Sequence, residues 1–144
     1  MIKIAHRGNL FGRIPERENS PEYIQEALDA GYDVEVDVWY EEERLFLGHV
    51  SPQYEISEEL LESKNFWCHA KNPAALSKML QNKKINCFWH QSDDYTLTSK
   101  GYIWTYPNKK ILPGGIMVVF GNQNISETED LGGICSDFVG NIEW

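Results

Sequence analysis

The chain has no long apolar run. A helix that crosses a bilayer needs roughly 18 or more consecutive apolar residues, and nothing in the 144 residues approaches that. Basic residues are scarce, 13 Lys and Arg against 22 Asp and Glu, for a formal net charge of −9. There is no basic stripe to neutralise a phosphate backbone, which excludes nucleic acid as a general partner. There is also no polybasic segment to hold the chain on an anionic membrane. Cysteine is rare and odd in number. Cys68, Cys87 and Cys135 lie far apart in apolar surroundings, without a Cys-x-x-Cys pair, and read as reduced core residues rather than a disulfide or zinc framework. The first strand-like run starts at Ile2, directly after the initiator, so a signal peptide is not expected and a soluble cytoplasmic protein is. No internal repeat or low-complexity tract is evident.

What is present is a chain sized for a single domain, with 42% apolar residues and five tryptophans to fill one core. Residues 2–6 read as a strand and 9–19 as a loop. Ser20-Pro21-Glu22 opens a helix, with serine as cap and proline at the first position, and Gly31 stops it. Tyr23, Ile24, Ala27 and Leu28 give that helix its apolar face. Residues 33–39 form a second strand, Glu41-Glu42-Glu43 a solvated turn, 45–49 an extended segment and 56–63 one or two helical turns. A strand over 65–71 precedes a helix from Asn72-Pro73 to about Leu80, with Leu76, Met79 and Leu80 inward. Residues 85–91, 95–98, 102–106, 116–120 and 133–138 read as strands with short connections. The early alternation of strand and helix predicts βα units and a parallel sheet. The eight main runs predict a small, trimmed (β/α)8 TIM-like barrel whose later helices are reduced to loops, with an open α/β sheet as the rival.

The chemistry concentrates in Ile4-Ala5-His6, Glu35-Val36-Asp37 and Leu47-Gly48-His49. Residues i and i+2 of a strand share a face, so Glu35 and Asp37 project side by side, backed by Val34, Val36 and Val38. Crowded carboxylates repel unless a cation or a proton lies between them, and oxygen ligands suit a hard divalent ion. Histidines beside such an ion can serve as acid and base near neutral pH. The bland alternative is a strand with solvated acids on its outer face. All four histidines, His6, His49, His69 and His90, fall at the ends of extended segments, where the active sites of barrel enzymes gather.

The pattern resembles the glycerophosphodiester phosphodiesterase family, within the wider phospholipase C-like phosphodiesterases. The resemblance rests on His6-Arg7-Gly8, Glu18-Asn19-Ser20, Ala30-Gly31-Tyr32-Asp33, Glu35-x-Asp37 and His49, in order within residues 4–49. Two later phrases also carry it, Tyr102-Ile103-Trp104-Thr105 and Gly133-Ile134-Cys135-Ser136-Asp137. It implies a metal-dependent phosphoric diester hydrolase acting on a small-molecule glycerophosphodiester-like substrate, with His6 and His49 as catalytic acid and base. A cyclic phosphate would form and then be opened by water or released. Arg7, Glu18, Asn19 and Lys71 would line the phosphate and substrate pocket. From its strand-end position His90 is expected to hydrogen-bond substrate, and Trp104 to supply an apolar wall or fill the core.

The chain departs from the family pattern at two places. Val50 stands where an aspartate usually follows the second histidine. His69 stands where the family has the glutamate that completes the metal site, and the related spider-venom sphingomyelinase D type enzymes have aspartate. Glu35, Asp37 and His69 are therefore the expected ligands of a divalent metal ion, Mg2+, Ca2+ or Mn2+, with the imidazole favouring Mn2+ or Zn2+. The same departures support an alternative, a catalytically degenerate phosphate- or headgroup-binding module. A zinc hydrolase is a third reading, weakened by the lack of a compact histidine motif. Oligomeric state is not legible.

Overall fold

Ser20 and Asn72 start the two principal helices by the capping chemistry their types favour. Ser20 Oγ accepts from the Tyr23 amide at 3.3 Å and Asn72 Oδ1 from the Ala75 amide at 2.9 Å, each followed by proline at the first helical position. In the computed structural model, which describes residues 1–121, 125 and 130–143, these are α1 (Pro21–Asp29) and α3 (Pro73–Leu80). A single turn, α2 (Glu58–Leu61), lies between them. α1 buries Tyr23, Ile24 and Ala27, and α3 buries Ala75 and Met79. Leu80, expected inward, is 55% exposed because the helix ends there. No helix among the described residues is long and apolar enough to cross a membrane.

The described strands are β1 (Ile2–His6), β2 (Asp33–Glu41), β3 (Arg44–Leu47), β4 (Tyr54–Ile56), β5 (Phe66–Ala70), β6 (Cys87–Phe88), β7 (Tyr95–Leu97), β8 (Ile103–Thr105), β9 (Ile116–Val119) and β10 (Gly133–Ser136). They form one mixed ten-stranded sheet. A parallel block runs β8-β9-β10-β1-β2-β5-β6, while β7 adds antiparallel to β8, β3 to β2 and β4 to β3.

The expectation of a (β/α)8 barrel is overturned. The sheet is open, strands and short connections dominate, and the described residues hold three short α-helices. The reason lies in the second half of the chain. A crossover that carries a helix needs about a dozen residues or more. The β8–β9 link, residues 106–115, is short and carries Pro107, Pro113 and the Gly114-Gly115 pair, which oppose helix. The 85–91 strand also shrinks to Cys87–Phe88.

Strand alternation sorts the side chains onto two faces. The helix-covered face carries Ala5, Val34, Val36, Val38, Phe66, Cys68 and Ala70, packed with Ile24, Ala27 and Met79. The other face is apolar at one end, where Ile4, Trp67, Phe88, Trp104, Ile116 and Cys135 cluster. The sheet curls strongly enough that Phe88 of β6 and Trp104 of β8 meet at 4.7 Å between ring centroids. On that face, two residues further along β1 and β5, stand His6 and His69, with Glu35 and Asp37 of β2 between them. The ionic groups thus stand on an apolar floor.

Candidate functional site

The site begins with register. Asp37 of β2 lies directly opposite His69 of β5, and His6 of β1 opposite Glu35. Valines at 34, 36 and 38, fully buried on the reverse face, hold Glu35 and Asp37 facing inward at 2% and 0% exposure. Glu35, Asp37 and His69 each offer a ligand atom, all within 4.8 Å of one another.

Hydrogen-bond bookkeeping defines what this trio lacks. Asp37 Oδ2 accepts from Arg7 Nε at 2.8 Å and Asn19 Nδ2 at 2.9 Å. Asp37 Oδ1 and Glu35 Oε2 are buried and have no hydrogen-bond partner. His69 Nε2 lies 2.9 Å from the His90 carbonyl, which can only accept, so that nitrogen carries a proton. Its Nδ1 faces Asp37 Oδ1 at 3.4 Å and Glu35 Oε1 at 3.7 Å. With that proton alone, the ring would turn a lone pair toward two carboxylates. Only a second ring proton or a cation makes that arrangement favourable. An imidazole whose far N–H is held by a backbone carbonyl is the usual posture of a metal-ligating histidine. Parallel stacking on Phe88, 5.2 Å between centroids and 4° between planes, fixes the ring. The donor set, hard oxygens plus one nitrogen, fits a divalent ion.

Burial would raise both carboxyls. At Asp37 the bonds and charges of His69, Arg7 and Asn19 outweigh it and hold the group well below the usual carboxylate range. At Glu35 burial and the neighbouring Asp37 prevail over the histidines and Arg7, pushing the group up. One acid is therefore ionised, and the other resists ionisation until more positive charge arrives.

Arg7 and Asn19 buttress this pair, both with left-handed backbone, φ 55° and 64°. Asn19 grips Asp37 twice, since its Oδ1 also accepts the Asp37 amide at 2.9 Å. Arg7 spans Asp37 and Glu18, and Glu18 accepts in addition from Asn9 and Arg13. Glu18 is thereby committed to cations and amides of the protein. Lys71 Nζ stands 3.8 Å from Asp37 Oδ1.

His6 donates through Nδ1 to Asp137 Oδ1 at 2.7 Å, while its Nε2 lies 3.7 Å from Glu35 Oε2. Burial opposes the imidazolium, but Asp137 and Glu35 outweigh burial and Arg7, so its pKa is raised. His49 arrives by a different route. β2 overshoots the parallel block, turns at Glu42-Glu43 and returns as β3, and the Gly48 amide bonds the Asp37 carbonyl at 3.1 Å. A Cβ at Gly48 would stand 2.0 Å from the Ser51 carbonyl oxygen, so only glycine permits this return. Burial and the Arg7 charge lower the His49 pKa. His6 and His49 line one cleft of about 580 Å³ with Arg7, Arg13, Phe120, Gly121, Asp137 and Phe138.

Of the expected site residues, His6, Arg7, Glu18, Asn19, Glu35, Asp37, His49, His69 and Lys71 come together. His90 contributes its carbonyl to His69, while its ring is tied to Asp93 at 2.9 Å and is not among the residues lining the cleft. Trp104 is 4% exposed in the apolar floor between Trp67 and Phe88, not in a substrate wall. Sequence reasoning left three polar participants unassigned, Asp137, Asn9 and Arg13. Asn9 Nδ2 links Glu18 to Asp137, and Tyr23 donates to Asn9. The acid just past the buried run Gly133–Ser136 was a usable signal for Asp137; nothing local marked the other two. No family model, curated protein or solved structure matches the chain.

Proposed function

We propose that the protein is a metal-dependent phosphodiesterase for a small, glycerophosphodiester-like substrate in the cytoplasm. The observation that carries this reading is the cluster of Glu35, Asp37 and His69, each offering a ligand atom within 4.8 Å of the others, in which Glu35 Oε2 and Asp37 Oδ1 are buried without a hydrogen-bond partner, beside two histidines on one cleft. Glu35, Asp37 and His69 would hold a divalent ion, which when bound would supply Lewis acidity toward the phosphate.

The residues divide the proton work by environment. His49, its pKa lowered, is neutral and takes the proton of the attacking substrate hydroxyl. His6, its pKa raised and its Nδ1 held by Asp137, keeps a proton on Nε2 for the leaving alcohol. Attack by a neighbouring hydroxyl forms one P–O bond and breaks another, giving a cyclic phosphate. Water then opens that ring with the histidines in exchanged roles, or the ring is released. Arg7 and Lys71 place positive charge beside the phosphoryl oxygens.

The test is calorimetry with Mg2+, Mn2+ and Ca2+, followed by phosphorus NMR of glycerophosphodiesters in the ion that binds. Binding that Asp37→Asn abolishes, with turnover that His6→Ala and His49→Ala each suppress about 100-fold or more, is the expected result. Absence of binding at millimolar ion removes the reading. A second reading has one specific support. Arg7 is already spanned by Asp37 and Glu18, which suits a headgroup-binding module. Ion-dependent phosphate binding without turnover would favour it.

A further inference from the structure

The cleft beside His6 and His49 has walls of unequal chemistry, and these bear on which alcohol a bound phosphodiester carries. Phe120 and Phe138 form its apolar side. Phe120 is half exposed, and its ring meets Tyr106 edge-on at 6.3 Å between centroids. A cleft of this size matches a small organic ligand.

Two guanidiniums also line it. Arg13 lines the cleft with its side chain 53% exposed, and its Nε is anchored on Glu18 Oε1 at 3.1 Å. That anchor occupies Nε and leaves the two terminal nitrogens to pair with phosphate oxygens. Arg7 adds a second guanidinium. The carboxylate that lines it, Asp137, is 4% exposed, and its Oδ1 is engaged by both His6 and Asn9. A quaternary ammonium could in principle stack on the phenyl rings. Here it would enter beside two guanidiniums whose partners Glu18 and Asp37 are buried, and among the described lining residues the one carboxylate, Asp137, is already engaged. An uncharged apolar substituent meets no such opposition and gains from covering the rings.

We propose that this cleft selects monoanionic phosphodiesters bearing an uncharged alkyl or aryl substituent over those bearing a cationic headgroup. Phe120 and Phe138 recognise the substituent and Arg13 grips the phosphate. The inference deepens the phosphodiesterase reading and rests on it only for the fate of the bond, because recognition is read by binding.

The experiment is calorimetric titration of the Mn2+-supplemented protein with two matched diesters that both carry the glycerol hydroxyl, glyceryl hexyl phosphate and glycerophosphocholine. Turnover is followed by phosphorus NMR on the same samples. The hexyl diester should bind about tenfold more tightly. Phe120→Ser should remove most of that preference and leave the choline diester unchanged, Phe120→Leu should restore it, and Arg13→Gln should weaken the hexyl diester. Phe120 is exposed, so its replacements should fold, with circular dichroism as the check. Equal or tighter binding of the choline diester, no effect of Phe120→Ser, or no binding of either diester overturns the proposal. Selective binding without turnover sustains the proposal and refutes the enzyme reading. Turnover without selectivity does the reverse.

Discussion

Removing the Asn19 side chain should cost more stability than almost any other single polar change in this protein. Asn19 is fully buried and acts at three points. Its Nδ2 donates to the ionised Asp37 Oδ2, a charge-assisted bond whose loss costs about 2 kcal/mol. Its Oδ1 is the acceptor of the Asp37 amide, and leaving that buried N–H unpaired costs about 2 kcal/mol more. Its backbone lies at φ 64°, where a Cβ without a polar side chain costs about 1 kcal/mol. The sum for Asn19→Ala is about 5 kcal/mol, a large part of a typical domain's total of roughly 5–15. Asn19→Gly has the same lost bonds without the backbone strain, and should recover about 1 kcal/mol. Urea unfolding of the three proteins, with the slope compared to confirm unchanged compactness, gives these numbers. A cost below about 1 kcal/mol for Asn19→Ala would mean that Asp37 does not depend on Asn19, and the buttressed carboxylate described above would be wrong.

Three further outcomes are expected. Glu35→Gln should stabilise the metal-free protein by about 1–2 kcal/mol while abolishing Mn2+ binding. Because the folded Glu35 pKa is raised, its ionisation weakens the fold as pH climbs above about 4.5, so urea midpoints should show a larger gain at pH 8 than at pH 5. For the His6–Asp137 pair the signs oppose. Raised His6 stabilises below about 6.5 and loses this as pH rises through its folded pKa, whereas lowered Asp137 stabilises above about 3.9 and loses it in acid. The pair therefore stabilises fully between about 4 and 6.5; Asp137→Asn should flatten that window and lower the His6 pKa seen by NMR titration. At the hairpin tip, Glu42 and Glu43 both have positive φ, 51° and 60°, the backbone of a turn that favours Asn-Gly. Glu42→Asn with Glu43→Gly should raise stability by about 1–2 kcal/mol, and no change in thermal midpoint would show that this strain is absent.

Much of the site was legible because its signals are local. The two-residue period of a strand places Glu35 and Asp37 on one face and the valines on the other, whatever the partners of that strand. Ser20-Pro21 and Asn72-Pro73 announce helix starts because a cap is satisfied within its own first turn. His6 at a strand end and His69 two residues beyond Trp67 follow from the same alternation.

What the tertiary structure decided is everything that depends on a distant partner. Periodicity says which face a residue takes, but not how many strands pair, how strongly the sheet curls or whether it closes. The expected barrel therefore gave way to an open sheet. Trp104 could have been wall or core until curling set it between Trp67 and Phe88. The His90 carbonyl that fixes the His69 ring lies 21 positions away, and the Asp137 that holds His6 lies 131 away. His49 reaches the carboxylates only because β2 overshoots and β3 returns through Gly48. Backbone geometry repeats every two residues and can be read from a short stretch. Which charges end up within 3 or 4 Å of each other depends on the whole chain having folded.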